Sequence, residues 1–198
     1  MIPEVFTGGW IRQGISLDDR PPAEDSVVWW LQTAVRHADL RVPHDPAGGS
    51  TSFAGTTTWD GHALTWVREI DLEGYDGEDV GTVAWDGPDL LESGTFESGN
   101  GPTAYTERWV RLPGSEGPLL SLRRGHERLL RAGSHAITQV DLRGSGGLFV
   151  ATAWSLTQGG WEVHHTLPHV PLAPRPPVPG GETDGWVHES DGGGDGPL

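Results

Sequence analysis

His37, Asp39 and Arg41 occupy every second position near the end of the segment Val27–Pro43, VVWWLQTAVRHADLRVP. Residues two apart on an extended strand share one face. An imidazole, a carboxylate and a guanidinium therefore stand in one row: two groups able to move a proton, beside one that holds carboxylate or carbonyl oxygens. Upstream, Trp30 and Gln32 also share a face, an aromatic surface and an amide suited to a planar ligand. A second row is Leu64, Trp66, Arg68, Ile70 and Leu72 in LTWVREIDL, one arginine among apolar neighbours. A third is Tyr105, Glu107 and Trp109 in TAYTERWVRL. A buried guanidinium needs a partner, because an isolated buried charge costs several kcal/mol. The pattern thus predicts that Arg68 and Glu107 meet inside the molecule. Two roles fit such a pair, a salt bridge that fixes strand register or an anion-binding and acid–base site. Arg12, with Asp39 and Arg41, forms a polar floor if that face points inward and ordinary surface charge if it points outward.

Other chemistries find less support. His164, His165 and His169 cluster near one strand end, but adjacent histidines on a strand face opposite ways, and no complete metal-ligand set has the right spacing. His37 and His165 are the cavity candidates among them. Gly144–Gly147 (GSGG) lacks the Lys-Ser/Thr and the helix that a phosphate loop needs, and no Gly-x-Ser-x-Gly elbow occurs. The chain has no cysteine, which removes disulfides and thiolate chemistry. All 13 basic residues are arginine, which excludes a lysine Schiff base. No cofactor and no metal are expected.

The elements that carry these rows read as strands. Trp10–Leu17, Val27–Thr33, Ala38–Val42, Ser52–Trp59, His62–Leu72, Val80–Trp85, Leu90–Phe96, Thr103–Leu112 and Leu119–Arg124 are short, rich in β-branched and aromatic residues, and separated by turn signals such as Asp60-Gly61 and Asp86-Gly87. Leu148–Leu156 and Trp161–Leu167 form a hairpin, whereas Arg128–Leu142 fits either a strand pair or a short helix. About ten short strands with no long helix-period segment predict an all-β barrel or sandwich. The expected domain spans 1–171. The Pro/Gly/acid-rich remainder, 172–198, is expected to be a disordered tail in which Trp186-Val187-His188 is the only apolar spot, incidental in the first reading and docked onto the barrel mouth in the second.

Composition bounds the partners. A chain of 198 residues has room for a real core. A net charge of −15 disfavours nucleic acid and anionic membranes, which need a basic face. No apolar run approaches the roughly 18 residues of a membrane span, and the N-terminus lacks a signal pattern, so a cytoplasmic protein is expected. No feature of the sequence bears on oligomeric state.

In order, WIRQGISL, VVWWLQTAVRHADLRVP, FAG, LTWVREIDL, YTERWVRL and WEVHHTLP resemble the motifs of a family of uncharacterised bacterial proteins. That family is distantly similar to a fungal casein-kinase-interacting protein with a lipocalin-like β-barrel. The likeness spans most of residues 9–170, and WLQT…ADLRVP with WVREIDL is its most specific part. Val67 departs from it, standing where a histidine is common. The resemblance implies a lipocalin-like antiparallel barrel and no particular reaction.

Three functions fit. The first is a binding module for a small apolar or aromatic molecule, with Trp30, Trp66 and Trp109 as walls, Tyr105 as a further aromatic contact, Gln32 as an amide contact, and Arg12, Arg41 or Arg68 as anchor. Ten tryptophans in the chain motivate it. The second is a cofactor-independent cyclase, isomerase or lyase using Glu107, Asp39 or His37 as acid or base. The third is a protein-interaction module.

Overall fold

Turns at close intervals make the first half of the chain a meander, and alternation of apolar and polar residues curls it around an apolar interior. In a computed structural model, residues 1–168 apart from Asp19, Pro46, Asp76 and Asn100 are described, together with Pro176 and 185–189. Eight antiparallel strands follow one another around a closed barrel: β1 (Gly8–Leu17), β2 (Ser26–Gln32), β3 (Arg36–Pro43), β4 (Thr51–Trp59), β5 (Ala63–Asp71), β6 (Glu78–Asp86), β7 (Asp89–Ser98) and β8 (Gly101–Arg111), with β8 closing on β1. Closure leaves no free sheet edge. No helix among the described residues is long and apolar enough to cross a membrane.

The later strands do not enlarge this barrel, which corrects the expectation of about ten strands. β9 (Leu119–Arg124), β10 (Glu127–Ala132), β11 (His135–Asp141), β12 (Phe149–Thr157), β13 (Gly160–Leu167) and β14 (Val187–His188) form a second sheet in the order β13-β12-β11-β10-β9-β14. The ambiguous segment Arg128–Leu142 is thus the β10–β11 hairpin, turning at Gly133, whose φ of 56° suits glycine. β14 also corrects the reading of Trp186-Val187-His188 as incidental. Trp186 is buried against Leu122 and Leu129, and Val187–His188 pairs with β9 rather than lying loose. Most of the rest of 172–198 lies outside the described residues.

The second sheet covers the outer face of β2–β4. Trp29, Leu31, Ala38, Leu40 and Ala54 point out of the barrel and share one core with Leu130, Ile137, Phe149, Ala151 and Leu167 of the second sheet. Gln139 stitches the layers by donating to Ser52 Oγ (2.8 Å) and Phe53 O (2.9 Å). Because both faces of β2 are covered, Val28 through Gln32 are all buried. The adjacent tryptophans therefore serve two cores, Trp29 outside the barrel and Trp30 within.

Inside, Trp10, Trp30, Trp66, Trp109, Leu64 and Leu90 pack together. The N-terminal 3-10 turn Glu4–Phe6 plugs the adjacent end. Phe6 meets Trp59 and Trp85, and its carbonyl accepts from Trp10 Nε1 at 2.9 Å. Two bulges break the alternation that the sequence suggests. Gln13 is an extra residue on β1, since Arg12 pairs opposite Trp109 and Gly14 opposite Arg108. Beyond it Ile15 and Leu17 turn inward with Arg12. Glu69 is the extra residue on β5, since Gly55 faces Arg68 and Ala54 faces Ile70. Beyond it Ile70 turns outward to the inter-sheet core and Asp71 turns in, the reverse of the expected facing. Gly55 permits this crossing, because a Cβ there would sit 1.8 Å from Val67 O.

Candidate functional site

The aromatic plug fills only one end of the barrel. A cavity of about 420 Å³ occupies the rest, within the range of small-molecule sites. Leu17, Asp25, Asp79 and Phe96 line it from the end where β1 and β7 finish and β2 and β6 begin, opposite the plug.

Of the eleven residues given a catalytic or ligand-binding role from the sequence, ten line this one cavity: Arg12, Trp30, His37, Asp39, Arg41, Trp66, Arg68, Tyr105, Glu107 and Trp109. β3 brings His37, Asp39 and Arg41, and β8 brings Tyr105, Glu107 and Trp109, each row facing inward by strand alternation. Gln32 is buried but does not line the cavity. Its amide is used up within the barrel wall, where the oxygen accepts from Trp30 Nε1 (3.0 Å) and Thr57 Oγ1 (3.0 Å). His165 does not reach the cavity, because β13 belongs to the second sheet, where its ring lies near Trp29. His169 lies outside the described residues. No group of three or more metal-ligating side chains occurs among the described residues.

The partner expected for Glu107 is also corrected. Arg68 and Glu107 line the same cavity, but Glu107 Oε1 accepts from Arg12 Nη1 at 2.5 Å, with Arg41 Nη1 at 3.9 Å. Arg12 also bonds Glu24 through Nε (2.8 Å) and Nη2 (3.0 Å). Arg68 is held by Asp71 (2.6 Å) and by Asp79, with its guanidinium 3.7 Å from the Phe53 ring centroid. Arg41 Nε bonds Asp39 Oδ1 at 2.9 Å. The bulge at Glu69 explains the exchange: it turns Asp71 inward, where it takes Arg68.

Burial sets the protonation of this network. For Arg12 burial opposes the charge, but Glu24 and Glu107 outweigh it and hold the guanidinium above its ordinary value. Arg41 is raised likewise, with Asp39 and Glu107 overcoming burial. Burial pushes Asp39 upward, and Arg41 offsets part of that. The sequence reasoning missed Glu92, which stands directly opposite Glu107 in the β7–β8 ladder. Its oxygens meet Tyr105 OH (3.0 Å) and Trp109 Nε1 (3.1 Å). Burial, then the nearby Glu107, pushes the Glu92 carboxyl up to about 8. Two carboxyls set face to face on neighbouring strands repel when both are ionised. Here Glu107 takes the arginine and Glu92 keeps its proton near neutrality. The signal for Glu92 was present in the Leu90–Phe96 strand, where it shares a face with Leu90. Phe53 and Thr57 were missed as well, on a strand read only as lying before a turn.

No family model matches the chain, and no curated protein matches it. The fold has a solved counterpart. The crystal structure of the uncharacterised protein YLR301w of Saccharomyces cerevisiae is similar over 84% of this chain and 89% of that one, with a TM-score of 0.64. At 15% identity the likeness is one of fold alone. It supports the barrel architecture and carries no residue of the cavity with it.

Proposed function

We propose that the protein is a small-molecule-binding β-barrel that holds an apolar or aromatic ligand between Trp30, Trp66, Trp109 and Phe53, with the arginine–carboxylate network as its polar anchor. The observation that carries this reading is the coincidence of an aromatic-walled cavity of about 420 Å³ with buried Arg12, Asp39, Glu92 and Glu107 on its wall. A barrel needing only stability would fill this space with side chains, since buried ion pairs add little over apolar packing. Native mass spectrometry of the purified protein, compared with its denatured mass, tests the reading. A reproducible excess mass that leaves on denaturation is expected. A clean mass, together with intrinsic tryptophan fluorescence unmoved by indoles, phenolic polyketides and fatty acids, would sink it.

A second reading, a cofactor-independent isomerase or cyclase, draws support from the Glu92–Glu107 pair. A carboxyl that burial keeps protonated, set beside a second carboxyl, is the usual source of an acid in such a site. Glu92 would donate the proton and Glu107 or Asp39 would receive one, with Arg41 steadying developing negative charge. Full turnover of an identified substrate by Glu107→Gln and Glu92→Gln would refute this assignment.

A further inference from the structure

Arg41 carries donors that the cavity wall leaves unused. Its guanidinium is held side-on by Asp39, with Nε donating to Oδ1 at 2.9 Å and Nη2 to Oδ2 at 3.4 Å. The N–H groups of a planar fork cannot all turn to one carboxylate. Side-on contact leaves the far edge, one N–H each from Nη1 and Nη2, for another acceptor. No described residue accepts there, and Glu107 Oε1 stands 3.9 Å from Nη1, beyond hydrogen-bond distance. The other two cavity arginines differ. Arg12 Nη1 holds Glu107 at 2.5 Å, and Arg68 Nη1 holds Asp71 at 2.6 Å. The unused edge of Arg41 is also within reach. Its side chain is 30% exposed, against 6% for Arg12 and 13% for Arg68, and Nη1 keeps surface that a water-sized group can touch. β3 ends at the open mouth of the barrel, so Arg41 is the first of the row Arg41, Asp39 and His37 that an entering molecule meets. The Phe53 ring centroid, 5.3 Å from the guanidinium carbon, sets an aromatic face beside these donors.

The charge of the wall decides between a carboxylate and a carbonyl at this edge. Three guanidiniums, Arg12, Arg41 and Arg68, are in ion pairs with five carboxylates, Glu24, Glu107, Asp39, Asp71 and Asp79, an excess of two negative charges. A carboxylate ligand would add a third beside Asp39 and Glu107, and would give up its water to do so. A carbonyl oxygen accepts the same two N–H groups and brings no charge. We propose that the cavity takes an uncharged aromatic molecule bearing a carbonyl group, such as a ketone, quinone or lactone, whose oxygen accepts from Arg41 Nη1 and Nη2. This rests on the binding reading and specifies the ligand's polar group and the residue that reads it.

Three probes of one ring skeleton test this: 2-acetylnaphthalene, its isostere 2-isopropenylnaphthalene, in which a methylene replaces the carbonyl oxygen, and 2-naphthoate. Affinities are measured by equilibrium dialysis against the full chain at neutral pH. The ketone is expected to bind about tenfold more tightly than the alkene, the weight of a hydrogen bond from a charged donor, and more tightly than 2-naphthoate. The infrared carbonyl band of the bound ketone should lie below its position in a hydrocarbon solvent. In Arg41→Met the ratio of ketone to alkene affinity falls to about one and the band shift is lost. That substitution orphans Asp39, so the double variant Arg41→Met/Asp39→Asn, which removes both charges together, is measured beside it and should show the same loss. Equal binding of ketone and alkene, tightest binding of 2-naphthoate, or a ketone preference that survives in both variants would each overturn the inference while leaving the binding reading intact. If no probe binds but native mass spectrometry finds a carried molecule, one without a carbonyl oxygen overturns the inference and an uncharged aromatic carbonyl compound supports it. Failure of all three probes, with no ligand carried, would overturn both readings.

Discussion

Replacing Glu92 with glutamine should leave stability nearly unchanged at low pH and raise it at high pH. The carboxyl is 7% exposed and its pKa rises from 4.5 to about 8 on folding. Below pH 4.5 the folded and unfolded chains both hold this proton, and ionisation takes nothing from the fold. Between 4.5 and about 8 the unfolded chain releases the proton and the folded chain keeps it, so stability declines as pH rises. Above 8 both states ionise and the deficit is complete. At about 1.4 kcal/mol per pH unit the full deficit is roughly 5 kcal/mol, and water entering the cavity from its open end brings it nearer to about 2–5 kcal/mol. Glutamine keeps the shape and an acceptor for Tyr105 or Trp109 without the charge. Glu92→Gln should therefore lie within about 1 kcal/mol of wild type at pH 5 and be more stable by about 2–5 kcal/mol at pH 9. Urea unfolding followed by tryptophan fluorescence from pH 5 to 9 measures both. Parallel stability profiles for the two proteins would refute the reasoning that burial and Glu107 hold the Glu92 proton.

Removing Arg12 as Arg12→Met leaves Glu107 buried with Arg41 only at 3.9 Å, and a loss of about 3–5 kcal/mol in denaturant unfolding is expected; a loss below about 1 kcal/mol would mean Glu107 does not depend on it. Gly55→Ala drives a Cβ onto Val67 O, so the barrel must shift at the Glu69 bulge. It should destabilise by about 3 kcal/mol, and an unchanged melting temperature would show that the crossing is looser than described. Trp186→Ala empties the pocket between Leu122 and Leu129 and should cost about 3 kcal/mol, together with faster hydrogen exchange at the β9 amides that face β14. Unchanged exchange would argue against a docked segment.

Period-2 faces were legible wherever the ladder is regular. The rows His37–Asp39–Arg41 and Tyr105–Glu107–Trp109 each keep the single face that period-2 alternation gave them, because β3 and β8 carry no bulge through these residues. The rows failed where an inserted residue resets the count. Gln13 and Glu69 look like any other polar strand residue, and only pairing with β8 and β4 shows them to be extra. That is why Ile70 was expected on the same face as Arg68, and Arg68 was given the wrong partner. The second sheet was hidden for a related reason. Hairpins of a barrel and of a sheet packed outside it share the same alternation, and nothing local in Leu119–Leu167 says which layer they join. Glu92 escaped notice because a carboxylate on a strand is ordinarily a solvated group, and its burial comes from neighbours distant in sequence. Glu189 shows the same limit. It lies in the acidic tail but bonds Ser121 Oγ at 2.8 Å and sits near Arg36 and Arg128.

The wall shared by barrel and second sheet has a consequence for how the chain can vary. On β8 a solvent-facing position alternates with each cavity position, so every second residue is available for change. On β2 no such relief exists, since Val28, Trp30 and Gln32 serve the barrel interior while Trp29 and Leu31 serve the inter-sheet core. Five consecutive positions are each answerable to one packed environment or the other. A library of all single substitutions, selected for folded protein, would show a continuous intolerant block there and an alternating pattern along β8. The block records a place where two packing problems were solved by one strand, and where drift in either layer must be matched by its neighbour.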